Sequence, residues 1–109
     1  MEHGFEERKK KQEDKWALDA ELRFKATARR NKLLGRWAAG QMGLTAAAAD
    51  EYAKAVVAAA MHGADGDPAL RKVRDDLYAA GVRPSDEDFQ AKVTELTELA
   101  RQQVLKGQK

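Results

Sequence analysis

Residues that favour β-strands are scarce in this sequence. Only ten of the 109 residues are β-branched, six Val and four Thr, and there is no Ile. Residues with high helix propensity, above all Ala, Leu, Glu, Lys, Gln and Arg, dominate instead. The composition therefore predicts an all-α protein, and the length suits one domain.

Capping residues and apolar spacing indicate where helical segments begin and end. Thr45 is a predicted N-cap, followed by an apolar stripe at Tyr52, Val56 and Ala60 in a segment that ends near Met61. The next segment is predicted to begin at Asp67-Pro68 and to end at Gly81, and another to run from Ser85 toward Leu105. The predicted buried positions of these two later segments are Leu70, Val73, Leu77, Ala80, Phe89, Val93, Leu96 and Ala100.

The first helical segment is longer than any partner that the chain offers. No Pro interrupts residues 5–42, and a continuous helix over them would be about 57 Å long, against about 32 Å for residues 86–106. We therefore predict a four-helix bundle over residues 18–109 and a projecting arm over 1–17, mobile in the free protein. The predicted buried stripe of the first helix is Leu18, Leu22, Ala26, Leu33 and Trp37, widened by Leu34 and Ala38.

Positive charge is concentrated near the N-terminus. Residues 1–37 hold 11 basic and 7 acidic groups, a net charge of +4, while residues 38–109 hold 9 and 11, a net charge of −2. Four cations fall within about 60° on a helical wheel and form what we call the basic ridge: Lys25, Arg29, Lys32 and Arg36. The ridge is either a solvated outer face or a binding surface. Arg23 and Arg30 project elsewhere, either along the core edge or toward an acidic partner.

No constellation typical of catalysis is visible. The chain has no Cys and no glycine-rich phosphate-binding loop, and its two histidines are His3 and His62. The longest apolar run, residues 55–61, is too short to cross a membrane. We expect a non-enzymatic cytoplasmic protein without a cofactor or a metal ion.

The stretch DAELRFKATARRNKLLGRWAA, residues 19–39, resembles the signature of the zeta-subunit family, small inhibitors of the alpha-proteobacterial F-type ATP synthase. The resemblance continues through Gly43-Leu44-Thr45, residues 52–57, residues 71–77 and Gly81-Val82. It implies a four-helix fold whose N-terminal segment enters a catalytic interface of the enzyme head, formed by the alpha, beta and gamma subunits, and stops ATP hydrolysis. It also implies peripheral association with the inner membrane through the synthase.

Partner binding is expected at the arm and at the basic ridge. Two aromatic side chains of the arm would be apolar anchors, and its cations would steer binding and form salt bridges. The free protein is expected to be a monomer. An alternative is a basic helical module that binds nucleic acid through the ridge. The small net charge and the lack of a recognition motif argue against it. The predicted partner-binding residues are Phe5, Arg8, Lys9, Lys10, Lys11, Lys15, Trp16, Lys25, Arg29, Lys32 and Arg36.

Overall fold

Four helices make up the part of the chain that the computed structural model describes, residues 20–62 and 66–107. Within these two ranges there is no strand. The predicted all-α class and the helical bundle are therefore confirmed. The helices are α1 (Ala20–Gln41), α2 (Ala46–Ala59), α3 (Pro68–Ala79) and α4 (Asp86–Leu105).

The starts of α2, α3 and α4 are fixed by side chains that accept hydrogen bonds from the first turn. Thr45 Oγ1 accepts from the backbone N–H of Ala48 at 3.2 Å, and the Asp67 carboxylate accepts from that of Leu70 at 3.3 Å. The Ser85 hydroxyl, at the start of α4, accepts from a backbone N–H at 3.0 Å. Each cap satisfies an amide that has no partner inside its helix, and all three predicted caps are confirmed.

The end of α3 is a Schellman motif. Gly81 has a positive φ of 84°, and its N–H donates to the carbonyl of Tyr78 at 3.0 Å. The N–H of Val82 donates to the carbonyl of Leu77 at 2.8 Å, which completes the predicted motif. Ala80 is consequently the exposed C-cap, so its predicted place in the buried stripe is wrong. Ala69, in the first turn, is fully buried instead.

Helix α1 packs against each of the other three helices, and α2 also packs against α3. The four predicted positions of α4, at residues 89, 93, 96 and 100, are all buried. The first three of them join apolar side chains of α1, α2 and α3 in a continuous core. Its buried members are Leu34, Ala38, Val56, Ala69, Val73, Leu77, Phe89, Val93 and Leu96.

The buried face of α1 is turned away from part of its predicted stripe. Leu34 and Ala38 are fully buried, whereas Leu33 and Trp37 are only partly buried. Gly35 explains the rotation, because a Cβ atom at this position would lie 2.7 Å from the Cα of Ala53 in α2. The side of α1 that carries Gly35 therefore faces α2 at close range, and Leu33 and Trp37 lie at the edge of the core.

The predicted arm over residues 1–17, and with it Leu18 of the predicted stripe, lies outside the described residues. Among the helices that are described, none combines the length and the apolar character needed to span a membrane.

Candidate functional site

The basic ridge lies on the outer side of α1, and two of its four cations are in ion pairs. Lys25 Nζ is 3.4 Å from the Glu21 carboxylate one turn earlier, and Arg36 is 3.1 Å from the Asp50 carboxylate of α2. All four of these side chains are largely exposed, so each pair contributes at most about 1 kcal/mol to stability.

Arg29 and Lys32 form no ion pair with any residue in the two described ranges. Together with Lys25 they line a surface concavity of about 530 Å³, which extends from α1 to Val57 of α2 and Val104 of α4. Three ridge cations therefore surround a cleft with apolar walls. The fourth, Arg36, lines a neighbouring concavity of about 370 Å³ that also reaches Lys32 and Val57.

A third concavity, of about 410 Å³, lies on the other side of Phe24. Its walls include Phe24 and Arg23 of α1, Val57 of α2, and Met61 just beyond α2. Phe24 is 64% exposed and Met61 is 68% exposed, the two largest values among the large apolar side chains described. Phe24, Ala28 and Val57 line this concavity and also the one of about 530 Å³. The two therefore form one surface, which we call the Phe24 groove.

The sequence reading missed Phe24 and Met61 as candidate site residues. The available signal was an aromatic residue on the same helical face as Asn31 and Gly35, toward the N-terminal end of α1 and beside the end of α2. That signal cannot be recognised until the buried face is known, because α1 is turned further than the apolar spacing indicates. Met61 carries no such signal, because it follows the last turn of α2.

Arg30 belongs to the interior of the fold rather than to the ridge. Its guanidinium donates to the side-chain oxygen of Asn31 at 2.7 and 3.0 Å and to the Asp67 carboxylate at 2.9 Å. Asn31 is almost fully buried, and the Arg30 side chain is only 14% exposed. Of the two possibilities for Arg30, pairing with an acidic residue is confirmed. The pair connects α1 to the residue that caps α3. Arg23, by contrast, is exposed beside the Phe24 groove.

A second polar network joins α2 to α3. The Tyr52 hydroxyl donates to the Asp76 carboxylate at 2.8 Å, and Lys72 Nζ lies 3.1 Å from the same carboxylate. Partial burial, followed by the hydrogen bond and the charge of Asp76, raises the pKa of Tyr52 well above its usual range. The phenol therefore stays protonated and acts as a donor. Such a network fixes the distance between two helices.

The remaining residues considered from the sequence are His62 and those of the N-terminal arm. His62 is exposed beyond the end of α2, and no cluster suited to a metal ion exists among residues 20–62 and 66–107. The predicted arm residues lie outside the described residues, so their roles stay predictions: Phe5, Arg8, Lys9, Lys10, Lys11, Lys15 and Trp16.

Comparison with known proteins bears on the whole chain. No curated protein matches it. The model of the family described as ATPase inhibitor subunit zeta, however, matches residues 1–103, which include the N-terminal segment and all of α1, α2 and α3. A match of this extent covers nearly the complete chain, so the protein belongs to the ATPase inhibitor subunit zeta family.

Proposed function

We propose that this protein inhibits ATP hydrolysis by the F-type ATP synthase by inserting its N-terminal segment into a catalytic interface of the enzyme head. The observation that carries the proposal is the extent of the family match, which begins at residue 1 and so includes the segment before α1. The family is one of inhibitor subunits, and binding to the synthase follows from it. The role is regulatory rather than catalytic.

The charge and length of the N-terminal segment support this mechanism. Residues 1–17 carry the run Arg8-Lys9-Lys10-Lys11 between Phe5 and Trp16. In a helix Phe5 and Trp16 lie about 20° apart on the wheel, so both aromatic rings would anchor the same side. The apolar stripes of the bundle lie in residues 22–100, which leaves the arm available to a partner.

The basic ridge supports a protein partner rather than nucleic acid. Two of its four cations are in ion pairs with Glu21 and Asp50, whose carboxylates would repel a phosphate backbone. The remaining pair, Arg29 and Lys32, lines a concavity with apolar walls. Mixed apolar and cationic surfaces are typical of protein interfaces. We propose that the ridge contacts the alpha, beta or gamma subunits beside the catalytic interface, while the protein remains outside the membrane.

The test is ATP hydrolysis by the isolated cognate head with three forms of the protein. The full-length chain should inhibit, a chain lacking residues 1–17 should not, and Trp16→Ala should inhibit about 30-fold more weakly if the ring is an anchor. Arg83→Gln, an exposed cation beyond the end of α3, is the control and should inhibit like the unmodified chain. Equal inhibition by the full-length and truncated chains, or none by the full-length chain, would refute the mechanism.

A further inference from the structure

The Phe24 groove is an exposed apolar surface with a cationic border. Phe24 stands between two concavities of about 410 and 530 Å³, and Met61 closes the end beside the start of α1. Both side chains are more than 60% exposed and line the same concavity, so they form a patch rather than singly exposed apolar groups. A contiguous apolar surface of this kind, bordered by polar residues, marks an interaction site.

We propose that the Phe24 groove binds an acidic amphipathic helix of the ATP synthase head. This inference rests on the proposed function, since it takes the synthase as the partner. Apolar side chains of the incoming helix would pack on Phe24, Val57 and Met61. Its carboxylates would pair with the cations along the border.

Charge complementarity identifies the chemistry of the partner. Arg23 borders the concavity of about 410 Å³, and Arg29 and Lys32 border the one of about 530 Å³. None of these three cations has an ion-pair partner in residues 20–62 or 66–107. Uncompensated cations around an apolar groove favour a partner with an apolar face flanked by Asp or Glu, because like charges there would be repelled. A purely apolar partner would leave the cations without a counter-charge.

The form of the groove favours a helix over an extended strand. The groove is lined by side chains of α1, α2 and α4 and offers no sheet edge in the described part of the chain to which a strand could add. Recognition must therefore proceed through side chains, as it does when an amphipathic helix occupies a groove with anchors one turn apart.

The position of the groove agrees with the proposed mechanism. Ala20, the first residue of α1, lines the concavity that Met61 closes. A head that holds residues 1–17 in a catalytic interface therefore also faces the Phe24 groove at the base of the arm. The groove provides the second contact, which keeps the bundle against the head while the arm is inserted.

The experiment measures the affinity of full-length variants for the isolated cognate head. Phe24→Ala with Met61→Ala should weaken binding about tenfold or more, mainly through faster dissociation. Arg29→Gln with Lys32→Gln should slow association, and its effect should fade at high salt. The matched control, Tyr78→Ala with Arg83→Gln, removes an exposed aromatic ring and an exposed cation from the α3 end and should stay within about twofold.

The melting temperature serves as the control for correct folding. It should be almost unchanged in the Phe24/Met61 variant because both side chains are exposed. Unchanged head affinity of this variant, while the full-length protein still inhibits, would overturn the groove inference and leave the proposed function intact. Failure of the unmodified protein to inhibit would instead overturn the proposed function. The two failures are therefore distinguishable.

Three other occupants of the groove have distinct signatures, and each would overturn the inference. Self-association that the Phe24/Met61 variant abolishes, measured by sedimentation, would assign the groove to a second copy. A shift of the Met61 methyl resonance in the free protein on removal of residues 1–17 would assign it to the chain's own N-terminal segment. Loss of binding to a single-stranded RNA oligonucleotide in the Arg29/Lys32 variant, with head affinity unchanged, would assign it to nucleic acid.

Discussion

At the scale of single residues, Gly35 has the least space for a side chain among the described glycines. A Cβ atom there would lie 2.7 Å from Ala53 Cα and 3.2 Å from a methyl carbon of Val56. The nearer contact is with backbone, so relief requires α1 and α2 to separate. Gly35→Ala should therefore lower the free energy of unfolding by about 1–3 kcal/mol in urea titrations, although Ala is the better helix former.

Gly40, in the same helix, is the matched control for this substitution. Nothing lies within 4 Å of the position that its Cβ would take. Gly40→Ala should raise the free energy of unfolding by about 0.4–1 kcal/mol. A stabilising effect at both glycines would show that the close approach of α1 and α2 at Ala53 is not required.

Tyr52 introduces a pH dependence at the alkaline end. Burial and the hydrogen bond to Asp76 raise the pKa of Tyr52 in the folded protein above its ordinary value near 10. Above about pH 10 the unfolded chain loses this proton before the folded protein does, so stability falls as pH rises. Below that pH the contribution of protonated Tyr52 to folding stability is fully present. Unfolding free energies measured from about pH 8 upward should decline more steeply for the unmodified protein than for Tyr52→Phe. Parallel pH curves for the two proteins would show that Tyr52 does not couple the free energy of unfolding to pH.

At the scale of elements, Asp67 has two separable roles. One of its oxygens caps α3 by accepting from the N–H of Leu70, and the other accepts from Arg30. Asp67→Asn keeps a capping side chain but loses the ion pair, and should cost about 1 kcal/mol or less, because the carboxylate is about one-third exposed. Asp67→Ala loses both contacts and should cost roughly 1 kcal/mol more. Equal costs in thermal or urea unfolding would show that the cap contributes nothing.

The element boundaries could be predicted from sequence because they depend on neighbours along the chain. Thr45, Asp67 and Ser85 each bond an amide three residues later, and Gly81 ends its helix by its own backbone conformation. Local chemistry of this kind is fully contained in a short stretch of residues.

The rotation of α1 could not be predicted because distant residues determine it. Asn31 and Gly35 lie on the buried face although neither is apolar; Asn31 hydrogen-bonds Arg30, which pairs with Asp67, and Gly35 lies against Ala53. An apolar count over one helix cannot detect such partners. Phe24 was missed for a different reason: it lies on the same helical face as Asn31 and Gly35 but beside the end of α2, so its exposure depends on where α2 ends. The shared face of the four ridge cations follows from helical spacing alone, and all four lie within α1.

At the scale of the whole molecule, the bundle should fold without its N-terminal segment. The buried members of the continuous core lie between Leu34 and Leu96, all of them outside the arm. A chain lacking residues 1–17 should therefore keep its helical circular dichroism and melt cooperatively, within a few degrees of the full-length chain. Loss of the cooperative melt would show that Phe5 or Trp16 belongs to the core.

The central position of α1 has a mechanical consequence. A force on residues before Ala20 is transmitted along the backbone into α1, which contacts each of the other three described helices. Along its 22 residues α1 contains no Pro, the commonest cause of a sharp kink. The force would therefore be opposed by the contacts of α1 with all three other described helices before any helix could separate from the bundle. A force on the N-terminal end of α1 should therefore move the bundle as one body instead of unfolding a single helix.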